Sequence, residues 1–411
     1  MLKHTGRRQQ ILVALVAFLV SALATVLAST VTTASPSVQP GSDGKSGSPG
    51  ATSTKPSAPS SLSDPRKPLP IGLAYGDTLT WKNDQELAVG LGDAVDSGAK
   101  WIRVDLSWND IQPDSPKTYE WQRFDRVLNG ARARGLEVLA TIGYTPKWAR
   151  KAGCSTDDAC PPADPAKFAA FARDAAKRYA SQGVHMWEVW NEPNIPFWAP
   201  KPDPAGYTEL LTATSKALRQ ADPQAYVLMG GLAAVGTDPS IAYVSQGDFL
   251  TAVCKLGGNK VVDAISYHPY TYPYLPSAKT SFGTAMEDIS SAQGNLVSIL
   301  AGNGTPDLPI WITETGAPTN GPGTATDGKT IPPDTTHVTE AYQAAIATDT
   351  VQAAAANPHV GAVFWFSDQD TGQAADKQHR SMFYGLRHFD GTPKPALAAL
   401  KAAILAYEHS R

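Results

Sequence analysis

The chain has 411 residues, with 35 Lys and Arg against 38 Asp and Glu, a formal net charge of −3. A near-neutral chain without a long basic block has nothing to track a phosphate backbone, so nucleic acid is excluded as an expected partner. Hydrophobic residues at 42% and charged residues at 18% are too apolar for a disordered chain, and a single bilayer-length apolar segment rules out a multi-span transporter.

That segment comes first. Lys3, Arg7 and Arg8 precede an apolar run from Ile11 to Ala28, interrupted only by Ser21 and Thr25. A basic start and an apolar core form the export-signal pattern, with Ala22-Leu23-Ala24 as a cleavage site. The run is also long enough to remain as an N-terminal membrane anchor. Either reading of residues 1–28 leaves the rest secreted or tethered to the cell surface. Residues 29–68 are Ser, Thr, Pro and Gly with almost nothing to bury, the composition of a flexible linker. Residues 69–411 are then one large domain.

Within that domain, short apolar runs alternate with longer helical patterns. Strands are expected at Ile71–Ala74, Trp101–Leu106, Leu136–Ile142, Met186–Trp190, Tyr226–Met229, Val262–Tyr267, Pro309–Thr313 and Ala362–Phe366. Helices are expected near Asp84–Asp96, Trp121–Arg134, Pro165–Ala180, Ala205–Gln220, Asp248–Leu256, Ala285–Leu300, Thr339–Ala355 and Pro395–Tyr407. Strand–helix alternation means parallel βαβ units, and this number of them predicts a closed (β/α)₈ TIM barrel of the α/β class. The competing open doubly wound sheet lacks its Gly-rich loop, because Gly76-Asp77-Thr78 follows the first strand.

Of the three cysteines, Cys154 and Cys160 share a loop rich in Asp and Pro, and outside the cytoplasm they are expected to form a disulfide. No His or second Cys pair stands nearby to support zinc, so no metal is expected there. Cys254 lies in an apolar helical stretch and reads as a buried, inert thiol.

A barrel places its chemistry at the C-terminal ends of its strands. Those ends carry Arg103-Val104-Asp105, Trp190-Asn191-Glu192-Pro193, Tyr267-His268-Pro269-Tyr270, Thr313-Glu314-Thr315-Gly316 and Phe364-Trp365-Phe366-Ser367. Two carboxylates, a histidine, an arginine, an amide and a tryptophan are the inventory for splitting a glycosidic bond. Glu188, deeper in the fourth strand, reads instead as a buried, paired structural carboxylate.

Asn191-Glu192-Pro193 at the fourth strand and Glu314 at the seventh resemble the clan A glycoside hydrolases. Arg103, Trp108-Asn109-Asp110-Ile111-Gln112-Pro113, Tyr119-Glu120-Trp121, and Gly385-Leu386 followed by Asp390-Gly391-Thr392-Pro393-Lys394-Pro395-Ala396 are similar to segments of families 39 and 5, with family 39 the nearer likeness. The resemblance implies a retaining glycosidase acting on a poly- or oligosaccharide without a cofactor, Glu192 being the acid/base and Glu314 the nucleophile. Double displacement requires two such carboxyl groups about 5–5.5 Å apart. Arg103 would hold Glu314 anionic by opposite charge. Asn191 would bond the sugar 2-hydroxyl, His268 or Tyr270 would orient a carboxylate or hydroxyl, and Trp365 would floor the subsite of the reacting sugar. Trp108, Tyr144, Trp148, Phe197 and Trp198, just beyond strand ends, would stack further sugar faces.

Each of these side chains also has a plainer reading: Arg103 as a partner of Asp105 or Glu188, His268 as a satisfied barrel histidine, the aromatic residues as barrel caps. The whole barrel could also be a catalytically silent carbohydrate-binding protein, although such a protein has little need of both Glu192 and Glu314. Gly323-Thr324-Ala325-Thr326-Asp327-Gly328-Lys329-Thr330 fits the phosphate-loop pattern. Ile331-Pro332-Pro333 forbids the helix that the motif needs, so the match is accidental and the segment is expected to wall the cleft.

Overall fold

Runs such as Trp101–Ser107 and Ile310–Thr315 are rich in β-branched and aromatic side chains that suit a pleated surface buried on both faces. In the computed structural model, which describes residues 68–154 and 157–411, they become barrel strands. The expected signal or anchor (1–28) and all but the last residue of the linker (29–68) lie outside the described residues. The strands are β1 (Ile71–Gly76), β2 (Trp101–Ser107), β3 (Glu137–Gly143), β4 (Met186–Asn191), β5 (Tyr226–Ala233), β6 (Ala264–His268), β7 (Ile310–Thr315), β8 (Thr324–Thr326), β9 (Thr335–Val338) and β10 (Val360–Phe366). Closure runs β1-β10-β7-β6-β5-β4-β3-β2, all parallel, and β8 and β9 form a separate two-stranded sheet. This is the expected (β/α)₈ barrel.

The principal helices are α1 (Asp84–Ser97), α2 (Gln122–Arg132), α3 (Pro165–Tyr179), α4 (Pro204–Ala221), α5 (Gln246–Lys255), α6 (Leu296–Gly302), α7 (Glu340–Ala356) and α8 (Pro395–His409). Their ends follow local chemistry. Asn83 and Glu86 form a capping box on α1, and Gly98 closes it at φ 85°. Asp164 caps α3, with a proline in its first turn, and Phe168, Phe171, Ala172, Ala175 and Tyr179 give it a buried stripe at helical spacing. The helix expected over Ala285–Leu300 is broken into Glu287–Ser290 and α6. Gly294 adopts φ 69° there, and Asn295 caps the restart.

One core lies between barrel and helices. A second, smaller one fills the barrel, where Ala74, Leu139, Leu228, Ala264, Trp311 and Phe364 meet. Trp311 stacks on Phe364 with ring centroids 6.4 Å apart and meets Trp101 edge-on at 6.2 Å. This plug fills the interior below the strand ends, as a packed barrel requires. No helix among the described residues is long and apolar enough to cross a membrane.

Candidate active site

The C-terminal strand ends open into a cleft of about 1130 Å³ lined by Arg103, Asn191, Glu192, His268, Tyr270 and Glu314. Backbone irregularities aim the two key carboxylates. At the end of β4, Trp190 and Glu192 take φ values of 75° and 45°, in the left-handed region that bulky side chains rarely adopt. Gly230 on the neighbouring strand makes room for this turn, since a Cβ there would meet the Val189 carbonyl oxygen at 2.5 Å. On β7 the register against β10 slips between Ile312 and Thr315, a bulge of the kind that re-aims a side chain, here Glu314.

Arg103, 1% exposed, organises the floor. Its Nε donates to Glu188 Oε2 at 2.5 Å, Nη1 to Glu314 Oε1 at 2.6 Å and Nη2 to Asn191 Oδ1 at 2.7 Å. Burial acts against its charge, but Glu188, Glu314 and Asp105 outweigh it and hold the guanidinium firmly protonated. Arg103 therefore pairs the buried Glu188 and, with another nitrogen of the same guanidinium, bonds Glu314. With its carbonyl oxygen engaged, Asn191 keeps its amide N–H groups as the donor end of a side chain that lines the cleft.

Tyr270 donates to the other Glu314 oxygen at 2.8 Å. Burial alone would raise the pKa of Glu314, yet His268, Arg103 and the Tyr270 bond together hold it below the ordinary glutamate value. Burial pushes the Tyr270 phenol well up, so it stays a donor. His268 lies fully buried between the two carboxylates, its Nδ1 2.9 Å from Glu192 Oε1 and 3.8 Å from Glu314 Oε2. Burial disfavours its cation, but Glu314 and Glu192 outweigh that and raise its pKa. Gly231 is indispensable here: a Cβ would stand 2.1 Å from His268 Nε2. One oxygen each of Glu192 and Glu314, together with a His268 nitrogen, lie within 4.8 Å of one another. These donors could also ligate a cation, but it would have to share Glu314 with the Arg103 guanidinium, and like-charge repulsion opposes that.

The predicted aromatic platforms fare unevenly. Tyr144 and Phe197 line the cleft. Trp365 does not: it is 2% exposed and packs in the core between barrel and helices, because β10 sends Phe364 inward and its neighbour outward. Phe366 lines the cleft in its place. Trp108 is also buried, edge-on to Trp148 at 5.4 Å and stacked on Phe171 at 5.8 Å, and its Nε1 donates to Gln112. Trp148 packs against that cluster, and Trp198 fills a gap between Trp190 and Tyr207 at 5.1 and 5.7 Å. These three cap the barrel rather than face the cleft. Sequence reasoning missed Phe366, which strand parity alone would have found. It also missed Tyr272 and Tyr384, whose hydroxyls meet at 2.7 Å on the cleft wall. Asp105 also lines the cleft, where burial raises its pKa to about 7 against the pull of Arg103.

Cys154 and Cys160 are joined, with Cα atoms 6.0 Å apart. Cys254 is a buried free thiol whose pKa burial raises to about 11. The phosphate-loop match spans β8 and a turn at Gly328 with no helix after it. Ile331, Pro332 and Pro333 beyond it line the cleft, the wall expected of this segment.

The cellulase family model (glycosyl hydrolase family 5) matches residues 66–370. A β-xylosidase of Geobacillus stearothermophilus is 27% identical over 225 residues, spanning 50% of this chain and 42% of that protein. The chain thus spans less than half the length of this curated relative. Among solved structures, a family 39 glycoside hydrolase of Bacteroides cellulosilyticus WH2 superposes with a TM-score of 0.60 at 23% identity, covering 84% of this chain and 65% of the other. A family 5, subfamily 18 protein of Streptomyces cattleya, in complex with GlcNAc, gives 0.60 at 18% identity over 84% and 81%. These likenesses show a shared fold across both families anticipated from the sequence, while the matching family model is that of family 5. With most of the barrel under that model, the chain belongs to the cellulase family, glycosyl hydrolase family 5, of clan A.

Proposed function

We propose that this chain is a retaining glycosidase that cleaves β-linked glycosides of a poly- or oligosaccharide, with Glu314 as nucleophile and Glu192 as acid/base. The observation that carries this reading is the unequal treatment of two neighbouring carboxylates. Glu314 accepts from both Arg103 and Tyr270 and is held as an anion, whereas Glu192 lies 2.9 Å from His268 Nδ1, a nitrogen that can take or return its proton. Oxygens within 4.8 Å suit direct attack better than a site that must admit a water between them.

In the first step Glu314 attacks the anomeric carbon, the bond to the leaving oxygen breaks, and that oxygen takes the proton of Glu192. In the second, Glu192 removes a proton from water, the water oxygen bonds to the anomeric carbon, and the Glu314 ester is released. Asn191 presents its amide to the sugar 2-hydroxyl, and Phe366 supplies the apolar face beneath the reacting ring. No step needs a cofactor. The Cys154–Cys160 bridge supports a secreted or surface-tethered location, since such bonds persist in oxidising compartments.

A library of 2-fluoro glycosides, followed by mass spectrometry of the trapped peptide, tests both sugar and role. The label is expected on Glu314. A label on Glu192, or turnover with inversion of the anomeric centre, overturns the assignment. A catalytically silent sugar-binding barrel would neither trap nor turn over any of them.

A further inference from the structure

Behind the two carboxylates lies a buried chain of hydrogen bonds that the mechanism above does not use. Glu188, Thr313 and His268 are all 0% exposed. Glu188 Oε2 accepts from Arg103 Nε at 2.5 Å and from the Thr141 hydroxyl at 2.8 Å. Its Oε1 accepts from the Thr313 hydroxyl at 2.9 Å. A threonine hydroxyl has one proton. Because that proton is committed to Glu188, Thr313 Oγ1 can only accept from His268 Nε2, 3.1 Å away. His268 Nε2 must therefore carry hydrogen. Gly231 packs directly over that nitrogen, where even a Cβ would stand at 2.1 Å.

We propose that Glu188 and Thr313 are positioning residues that lock His268 in its Nε2–H tautomer. The ring's one exchangeable site, Nδ1, then faces Glu192 Oε1 at 2.9 Å. A neutral ring in this tautomer accepts the proton of Glu192, and a protonated ring returns it, so a single mobile proton resides between the two atoms. The opposite tautomer would put a permanent N–H against Glu192, favour its anion and remove the proton meant for the leaving group. Glu314 at 3.8 Å and Arg103 are the other charges that bear on the ring, and neither touches Nε2 in this network. The inference rests on the reading of Glu192 as acid/base.

Glu188→Gln gives the sharpest test. Arg103 and Thr141 both donate at the Oε2 position, so the amide oxygen stays there and the amide N–H₂ faces Thr313. Thr313 then accepts from Gln and turns its own proton to His268 Nε2, which reverses the tautomer. Thr313→Val removes the lock without reversing it, and Thr313→Ser restores it. In the full-length chain, ¹⁵N spectra of the His268 ring, assigned by loss of its signals in His268→Asn, are expected to show protonated Nε2 in the parent and Thr313→Ser. Glu188→Gln should show protonated Nδ1, and Thr313→Val a mixture. Since general acid catalysis is worth about 10²–10⁴-fold, alkyl glycosides should slow by about 10–100-fold in kcat in Glu188→Gln and by less in Thr313→Val, while dinitrophenyl glycosides, which need no acid, keep their rate of glycosylation. Unchanged ring spectra in both variants, or equal slowing of both leaving groups, overturns the proposal. Glu192→Ala separates the two layers: if it slows alkyl and dinitrophenyl glycosides equally, the acid/base assignment itself has failed. If Glu192→Ala discriminates between leaving groups and the Glu188 and Thr313 variants do not, only the lock has failed.

Discussion

Arg103→Met removes a cation that touches three side chains and leaves their shape nearly filled. The dominant consequence falls on Glu188, whose side chain is 0% exposed and loses a 2.5 Å partner. Breaking a buried ion pair by deleting one member costs about 3–5 kcal/mol, because the remaining charge stays desolvated. Glu314, 13% exposed, faces the solvent-filled cleft and adds less. Urea unfolding of the full-length chain, followed by tryptophan fluorescence, should show a lower midpoint at unchanged m. Adding Glu188→Gln removes the orphaned charge but keeps an acceptor for Thr141, and the double variant should recover at least half of the lost stability. A single variant within about 1 kcal/mol of the parent, or a double variant no better than the single, refutes the claim that charge pairing and not packing anchors this floor.

Two further outcomes follow from the same geometry. Glu314 has a depressed pKa, so it is charged above the ordinary glutamate range and loses both charge and nucleophilicity only as pH falls below it. Tyr270→Phe deletes one donor to that anion, and since such bonds are worth about 1.5–3 kcal/mol, the acid limb of kcat/KM should move up by about 1–2 pH units; an unmoved limb would show that Tyr270 does not tune Glu314. Phe366→Ala should raise KM about tenfold, equivalent to about 1.4 kcal/mol of lost sugar contact, whereas Trp365→Phe should lower thermal stability and leave KM alone. The reverse pattern would return the platform to Trp365.

Much of this protein is readable along the chain because its determinants are local. Apolar runs of strand length, separated by capped helical stripes, specify each βα unit without reference to its neighbours, and right-handed parallel closure follows from their number. Glu192 and Glu314 were legible for the same reason, since strand ends in a barrel converge wherever closure brings them. The helix expected over Ala285–Leu300 is split at Gly294, a local breaker inside an otherwise helical pattern.

Side-chain direction near the strand ends was decided elsewhere. The bulge on β7 and the left-handed turn at Trp190 and Glu192 arise from register with adjacent strands, so the sequence by itself determined which acids reach the mouth but not how they are aimed. Whether a tryptophan faces sugar or core depends on which neighbouring helix offers a space: Trp108 found one against α3, and Trp198 one against Tyr207. The proton arrangement around His268 is the most tertiary feature of all. It joins residues from β4, β6 and β7 that are up to 125 positions apart in the chain, and burial makes every unsatisfied donor among them costly enough to enforce one pattern.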